Sequence, residues 1–194
     1  SFPIGATTVK WTVTDAAGNT ATANQIVTVV DNIIPSITAP ANKTVNVGAG
    51  SCSATGVALG TPVTSDNCTV ASVTNNAPAS FPIGATTVKW TVTDGAGNTA
   101  TANQIVTVVD NIIPTITAPA NKTVNVGVGS CSATGVALGT PVTSDNCTVA
   151  SVTNNAPASF PIGATTVKWT VTDAAGNTAT ANQIVTVVDN IIPT

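Results

Sequence analysis

The sequence predicts an all-β protein made of tandem β-sandwich domains, and three observations support this prediction. First, the chain repeats itself: the segment SFPIGATTVKWTVTD begins at Ser1, Ser80 and Ser159, which sets a period of 79 residues. Self-similarity at a fixed period is typical of repeat architectures. Second, apolar and polar residues alternate with a period of two, as in half-buried strands. Third, no window shows the 3.6-residue period of an amphipathic helix.

The repeat defines the domain organisation. Residues 1–115 match residues 80–194 with four differences, which are Ala16/Gly95, Ser36/Thr115, Ala49/Val128 and Gly95/Ala174. Because the break Asp-Asn-Ile-Ile-Pro recurs between copies, we interpret it as the linker. The predicted domains are the C-terminal part of a repeat at 1–32, complete repeats at 33–111 and 112–190, and the start of a further repeat at 191–194. We therefore expect the chain to be a slice of a longer array.

A hairpin is the clearest element within each repeat. Val88, Trp90 and Val92 alternate with polar residues and predict a strand. The segment Asp-Gly-Ala-Gly-Asn at 94–98 suits a tight turn. A second strand is expected over Thr99–Val109, although Gln104 interrupts its alternation and predicts a bulge there.

The remaining elements are short. Further strands are expected at Ser36–Ala39, Thr44–Val47, Cys52–Leu59, Thr69–Thr74 and near Ala79–Ile83. Prolines lie between or at the ends of these segments, where a missing N–H does no harm. About seven short strands in one repeat predict an immunoglobulin-like β-sandwich, and the array of such sandwiches is expected to be rod-like.

Composition excludes several functional classes. All five basic residues are Lys, all eight acidic residues are Asp, and Arg, Glu, His, Tyr and Met are absent. The usual proton-transfer groups are therefore missing, and neither a Ser–His nor a Cys–His nucleophile pair can form. With no Arg and a formal net charge of −3, a phosphate-binding surface is disfavoured. We expect no enzyme and no nucleic-acid partner.

Membrane insertion is not expected either. The apolar stretches are far shorter than the 20 or so residues that a spanning helix requires. No charged segment followed by an apolar one opens the chain, so a signal peptide is not expected within it.

The cysteines predict a covalent staple. Cys52 and Cys68 lie in one complete repeat, and Cys131 and Cys147 lie in the next. An even number per repeat predicts one disulfide in each, Cys52 with Cys68 and Cys131 with Cys147, formed in an oxidising compartment. Such a bridge would contribute about 3 kcal/mol to a small sandwich. The alternative is a pair of reduced, buried thiols in each repeat.

Several motifs together resemble a known family. They are Phe-Pro-Ile-Gly-Ala-Thr-Thr-Val, the strand ending Thr-Val-Thr-Asp, the Asp-x-x-Gly-Asn turn, Ser-Asp-Asn-Cys at 65–68 and the linker Val-Val-Asp-Asn-Ile-Ile-Pro. This set resembles the HYR (hyalin repeat) domain over essentially the whole chain. The resemblance implies an immunoglobulin-like fold and extracellular adhesion. Near-identical copies rich in Thr and Ala are similar to the giant SprB-type surface adhesins of gliding bacteria, which are exported by type IX secretion.

One departure from the family concerns its second cysteine pair. Many HYR domains carry a Cys before the proline of the first strand and another in the last strand. Here those positions are Ala39 and Ala102, with Ala118 and Ala181 in the next repeat. Both partners are absent together, which leaves Cys52–Cys68 as the expected staple of its repeat.

The aspartates suggest calcium sites at the junctions between repeats. Ca²⁺ prefers six to eight oxygen ligands, and loops rich in Asp and Asn supply them. In a sandwich the turn of the last hairpin lies at the end where the chain enters, so it should face the incoming linker. The candidate ligands are therefore Asp94 and Asn98 with Asp31 and Asn32, Asp173 and Asn177 with Asp110 and Asn111, and the unpaired Asp15, Asn19 and Asp189. Asp66 and Asp145 are left open. The alternative is that these segments form turns without an ion.

The sequence therefore favours a structural role. The leading hypothesis is a non-enzymatic stalk of a large secreted surface adhesin, whose repeats contact neighbouring repeats and supply reach. The alternative is that the repeats themselves bind polysaccharide or a surface weakly and gain avidity by multivalency.

Overall fold

A computed structural model describes residues 1–192. Residues 193–194, the end of the predicted start of a further repeat, lie outside the described residues. The described residues form strands, turns and loops, with no helix that could cross a membrane. The all-β prediction is confirmed.

The chain forms two compact units that interleave in sequence. Among the described residues, the first consists of residues 1–42, 58–77 and 87–105, and the second of residues 43–57, 78–86 and 106–192. The second complete repeat therefore lies wholly within the second unit. The domain limits expected from the sequence stay predictions.

The strands recur with the period of the sequence. The N-terminal hairpin consists of β1 (Gly5–Thr14) and β2 (Thr20–Val29). The first complete repeat contains β3 (Ser36–Thr38), β4 (Lys43–Asn46), β5 (Ser53–Thr55), β6 (Val63–Ser65), β7 (Val70–Asn75), β8 (Ser80–Pro82), β9 (Gly84–Asp94) and β10 (Thr99–Val109). The second contains β11 (Thr115–Thr117), β12 (Lys122–Asn125), β13 (Ser132–Thr134), β14 (Val142–Ser144), β15 (Val149–Asn154), β16 (Ser159–Pro161), β17 (Gly163–Asp173) and β18 (Thr178–Val188). The sequence did not predict β6 or β14.

The second complete repeat is a sandwich built around its long hairpin. Its main sheet has the order β12-β18-β17-β15, in which β12 pairs parallel to β18 and the other pairs are antiparallel. The two-stranded pairs β11-β14 and β13-β16 supply the opposing layer. The corresponding strands of the first complete repeat have the order β4-β10-β9-β7. The immunoglobulin-like fold class is thus confirmed.

The core of this sandwich is small and consists mainly of valine, with one tryptophan and one phenylalanine. Every second residue is buried from Val167 to the end of β17 and from Gln183 to Val187 in β18, which places Val167, Trp169, Val185 and Val187 on the inner face. Phe160 of β16 packs against them from the opposing layer. Because a pleated strand points alternate side chains to opposite faces, the period-two pattern of the sequence produces this arrangement directly.

One inner-face position is a glutamine, which the sequence pattern treated as a break. Gln183 pairs with Val167 in an unbroken register, so the bulge predicted at this position of the strand is wrong. The side chain is fully buried and makes three hydrogen bonds. Its Oε1 accepts from the Trp169 indole N–H at 3.1 Å, and its Nε2 donates to the carbonyls of Ala120 at 2.8 Å and Leu138 at 2.9 Å. A buried amide is tolerated because all of these groups are satisfied.

Candidate metal centre

The turn of each long hairpin is organised by its aspartate. In the first unit, the Asp94 Oδ1 accepts the backbone N–H groups of Ala96 at 2.9 Å and Asn98 at 2.8 Å. The Asn98 side-chain amide donates to Asp94 Oδ2 at 2.8 Å. Asp side chains commonly accept backbone N–H groups two or more residues on, which explains the Asp-x-x-Gly-Asn motif. The glycine before the Asn, Gly97, has a φ of 96°, a conformation that other residues rarely adopt.

The same asparagine ties the hairpin to the incoming linker. Asn98 Nδ2 lies 3.2 Å from the carbonyl oxygen of Asp31 and 3.3 Å from that of Ile33. In the second unit Asn177 makes the corresponding contacts with the carbonyls of Asp110 and Ile112, at 3.2 and 3.3 Å. The hairpin turn therefore meets the linker through hydrogen bonds, as the strand topology led us to expect.

A third carboxylate completes each site. Asp66 and Asp145 follow β6 and β14, and each Oδ2 accepts the backbone N–H of the cysteine two residues on, at 3.0 Å. Carboxylate oxygens then lie within 4.8 Å of one another in two equivalent groups, Asp31, Asp66 and Asp94, and Asp110, Asp145 and Asp173. We call these groups the first and second acidic clusters. The sequence left the third member open because β6 and β14, which bring it to this end of the sandwich, were not predicted.

The clusters contain buried oxygen atoms without a partner. Asp66 Oδ1, Asp145 Oδ1 and the neighbouring Asn146 Oδ1 are buried, and none accepts a hydrogen bond from a described residue. Buried polar atoms are nearly always satisfied, so an unpartnered carboxylate oxygen beside two other carboxylates needs a counterpart. Oxygen atoms bound to one Ca²⁺ lie up to about 5 Å apart, since each Ca–O distance is about 2.3–2.6 Å. The donor set therefore fits a hard divalent cation.

Hydrogen bonds keep the aspartates of the two long hairpin turns, Asp94 and Asp173, ionised. Burial by itself raises the pKa of Asp94, but the hydrogen bonds from Asn98 and Ala96 outweigh it and leave the pKa below the ordinary value. The pKa of Asp173 is lowered by the same balance of burial against bonds from Asn177. Both side chains are 2% exposed. Two buried carboxylates are thus held ionised by hydrogen bonds, a form that binds a cation.

Other predicted ligands are not gathered in this way. Asp15 accepts the Asn19 side chain at 2.9 Å in the exposed turn of β1–β2, which lowers the pKa of Asp15. Asp189 is exposed and accepts the backbone N–H of Ile191 at 3.0 Å. Neither belongs to a group of three carboxylates within the described part of the chain. Asn32 and Asn111 are exposed beside the linker aspartates. Metal binding at all these residues stays a prediction.

The predicted cysteine pairing is wrong. Cys52 is bonded to Cys147 with a Cα–Cα distance of 5.1 Å, and Cys68 and Cys131 are free and exposed. The second repeat shows why its own pair, Cys131 and Cys147, cannot form a bridge. Cys147 lies beside the hairpin turn, where Val149 pairs with Asp173.

Cys131 lies in the loop after β12, whose last residue pairs with Val188 at the far end of the same hairpin. Eleven residues of strand separate the two ends by about 30 Å, whereas bridged Cα atoms lie within about 7 Å. The free thiol of Cys68 lies beside the first acidic cluster, and contact with Asp31 raises the pKa of this thiol.

Comparison with known proteins places these features in a family. The HYR domain model matches residues 30–108 and 109–187, two consecutive stretches with the length of the repeat. Hyalin of Lytechinus variegatus is 35% identical over 205 residues, covering 97% of this chain and 38% of that protein. Hyalin of Strongylocentrotus purpuratus is 33% identical over 193 residues, covering 92% of this chain and 16% of that protein. The chain therefore spans well under half the length of these relatives.

The solved structures to which the chain is similar include protocadherin extracellular domains. Human protocadherin-24 EC1-2 is 12% identical with a TM-score of 0.38, over 82% of this chain and all of that chain. Mouse clustered PcdhgC3 EC1-3 is 12% identical with a TM-score of 0.35, over 97% of this chain and 78% of that chain. These similarities are too low to compare sites. The two domain matches cover most of the sequence, and the chain belongs to the HYR domain family.

Proposed function

We propose that this chain is a non-enzymatic run of repeats from an extracellular cell-adhesion protein, and that each acidic cluster binds one Ca²⁺ ion. Membership of the HYR family and the similarity to hyalin support the adhesive role. The absence of His, Glu, Tyr and Arg from the sequence supports the non-enzymatic role, because only Asp and Lys remain for proton transfer.

The three converging carboxylates carry the calcium proposal. Each cluster consists of one carboxylate from the linker, one from the loop after β6 or β14 and one from the hairpin turn. Three negative charges within 4.8 Å repel one another, which opposes packing of the linker against the repeat. When bound, Ca²⁺ supplies two positive charges and links the three segments. The Asn98 and Asn177 amides hold the linker carbonyls in position beside it.

Thermal unfolding with Ca²⁺ or with EDTA tests this proposal. A cation that binds only the folded chain at one hundred times its Kd adds about 2.7 kcal/mol, or about 10–20 °C in Tm for a domain of this size. We expect Asp66→Asn combined with Asp145→Asn to abolish the shift. Asp15→Asn combined with Asp189→Asn is the matched control, because it removes the same two charges from exposed aspartates outside both clusters. A Tm that does not respond to Ca²⁺ would overturn the calcium proposal.

Within the adhesin we assign these repeats to a stalk, as in the bacterial surface adhesins that the sequence resembles. Linkers fixed by an ion and by hydrogen bonds favour reach and stiffness over binding. Small-angle scattering should show an extended particle with Ca²⁺ and a more flexible particle in EDTA. A glycan array should show no specific binding. Retention of a polysaccharide by the purified chain would instead favour the alternative, a multivalent binding module.

A further inference from the structure

The disulfide of this chain connects consecutive copies of the repeat. Cys52 and Cys147 are separated by 95 positions, which is the 79-residue period plus the 16 positions between the two cysteines of one repeat. Each of these two cysteines has an equivalent one period away, Cys131 for Cys52 and Cys68 for Cys147. Both equivalents are free and exposed. One copy of the junction is therefore closed, and its two complementary halves are each present once more in open form, one at Cys131 and the other at Cys68.

Hydrogen bonds accompany the disulfide in the closed junction. The Asn146 side-chain amide donates to the Ser51 carbonyl at 3.0 Å and to Asp110 Oδ2 at 3.1 Å. The Cys52 sulfur lies 3.2 Å from the Asn146 carbonyl oxygen, and the Cys147 sulfur lies 3.6 Å from the Ser51 carbonyl oxygen. The loop that carries Cys52 thus docks on the Asn-Cys pair of the following repeat.

The open acceptor half, Asn67 and Cys68, has the side-chain contacts of the closed junction before any loop is docked. Asn67 Nδ2 lies 3.3 Å from Asp31 Oδ1 and 3.2 Å from the Cys68 sulfur. In the closed junction Asn146 makes the same pair of contacts, with Asp110 and with the Cys147 sulfur. Asn67 and Cys68 are exposed, whereas Asn146 and Cys147 are partly buried. What differs between the two is the docked loop.

The open donor half, the loop of residues 127–131, has the backbone conformation of the docked loop of residues 48–52. The Ser130 N–H bonds to the Gly127 carbonyl at 3.0 Å, as the Ser51 N–H does to that of Gly48. Gly129 and Gly50 have φ angles of 77° and 74°. The two loops differ only at Val128, which replaces Ala49 and is 92% exposed. The free loop therefore keeps the conformation of the docked one, with its cysteine accessible.

We propose that the Asn67–Cys68 surface is a docking and cross-linking site for the Cys131-type loop of another copy of this repeat. In an array every repeat is then bonded to the one before it and the one after it. Separate chains join through Cys131 of one and Cys68 of the next. Because the two halves of the contact differ, association is head-to-tail and does not close on itself as a symmetric dimer would.

Bond formation is an oxidation, and its electrons need an acceptor. The two thiols lose two protons and two electrons as the S–S bond forms. A disulfide oxidant such as oxidised glutathione accepts the electrons and protons and leaves as two thiols. The bond forms by exchange through a mixed disulfide, so the docked geometry selects which thiol completes the reaction.

Two complementary variants test the direction of the contact. A chain with Cys68→Ser keeps only the donor thiol, and a chain with Cys131→Ser keeps only the acceptor thiol. The two are mixed in a glutathione redox buffer, with one chain labelled with ¹⁵N, and the products are read by non-reducing electrophoresis and mass spectrometry. We expect the mixed dimer to form at least about tenfold faster than either homodimer, because hydrogen bonding by Asn67 prolongs the productive encounter. The unaltered chain should give a ladder of oligomers.

Controls separate docking from random oxidation. Asn67→Ala in the acceptor chain retains the thiol and should lower the rate of the mixed dimer towards that of the homodimers. In denaturing urea the preference for the mixed dimer should disappear. Homodimers forming as fast as the mixed dimer in native buffer would overturn the proposal. So would an unaltered chain that stays monomeric with Cys68 and Cys131 bonded to each other or both reduced.

Discussion

The hairpins β1–β2 and β17–β18 have the same sequence and different surroundings. Gly5–Val29 and Gly163–Val187 are identical. Both pair in the same register, with Trp11 opposite Ala23 and Trp169 opposite Ala181. Yet Trp11 is 61% exposed and Trp169 is 6% exposed. Hairpin geometry is therefore encoded locally, whereas burial depends on the second layer that β11, β13, β14 and β16 supply in the complete repeat.

The glutamine hydrogen-bonded to each tryptophan, Gln25 or Gln183, shows the same difference in burial between the two hairpins. Gln25 and Gln183 both accept the indole N–H of the tryptophan, at 3.0 and 3.1 Å. Gln183 also donates to two loop carbonyls of its sandwich, and it is fully buried. Gln25 is exposed. The same residue is thus a surface partner of Trp11 in one hairpin and a connection between layers in the other.

The largest expected effect comes from removing that connection. Gln183→Ala leaves the buried Trp169 N–H without a partner and removes the hydrogen bonds to the carbonyls of Ala120 and Leu138. We expect a loss of about 2–6 kcal/mol in the free energy of unfolding, since an unsatisfied buried group costs about 1–3 kcal/mol and each other lost hydrogen bond about 0.5–1.5 kcal/mol. Urea unfolding followed by Trp169 emission, in a chain with Trp11→Phe and Trp90→Phe, measures it.

Gln25→Ala in the otherwise unaltered chain, which keeps Trp11, is the matched variant and is followed by far-UV circular dichroism. It removes one exposed hydrogen bond and should change the unfolding free energy by less than about 0.5 kcal/mol. If Gln183→Ala were equally harmless, the bonds between layers would contribute nothing, and the comparison of the two hairpins would fail.

The second expected effect concerns calcium and rests on the proposed function. Asp173→Asn removes a carboxylate of the second acidic cluster, whereas Asp15→Asn makes the same change in a turn without a cluster. We expect two ions per unaltered chain in equilibrium dialysis with ⁴⁵Ca²⁺. Asp173→Asn should weaken one site by at least about tenfold, since calcium affinity follows the number of charged ligands.

Asp15→Asn also replaces one of the two oxygens that accept hydrogen bonds from Asn19, so it controls for weakening of the hairpin turn. Both ions should remain bound in this variant. An equal loss of calcium in the two variants would show that the hairpin turn, and not the cluster, binds the ion.

These comparisons also show what the sequence could predict about the fold. Alternation along Val88, Trp90 and Val92 predicts the long strand, because the pleat translates directly into burial. Three-residue strands such as β6 (Val63–Ser65) are too short to show a period, and this one was missed. Gln104 and Gln183 broke the expected pattern because a polar residue fits the core only when partners distant in sequence satisfy it.

The candidate site was predicted in part for a similar reason. The linker and hairpin aspartates could be paired from strand direction alone, since both lie at the end where the chain enters. The contribution of Asp66 and Asp145 depends on the missed strands β6 and β14. The cysteine pairing failed because counting cysteines within a repeat cannot distinguish a bridge inside one copy from a bridge to the next, one period away.

A smaller effect is expected at the contact between hairpin and linker. Asn177→Ala removes the donor to the carbonyls of Asp110 and Ile112 and should cost about 1–2 kcal/mol. Urea unfolding followed by Trp169 emission, in the chain with Trp11→Phe and Trp90→Phe, measures this change in the free energy of unfolding. Asn19→Ala, in a turn where the asparagine amide bonds to Asp15, should cost less than about 0.5 kcal/mol. Equal costs in both variants would mean that the asparagine stabilises its own turn and not the linker.

The smallest effect leaves stability unchanged and reports exposure alone. Acrylamide should quench Trp11 several-fold more strongly than Trp169 in chains in which Trp90 and the other of these two tryptophans are replaced by Phe, because quenching requires collision with the exposed ring. Adding a copy of residues 33–79 before Ser1 supplies the strands that cover the equivalent tryptophan in a complete repeat. Quenching of Trp11 should then fall to the level of Trp169. If Trp11 stayed accessible in the extended chain, identical hairpins would not be interchangeable, and burial would depend on more than the strands of the repeat.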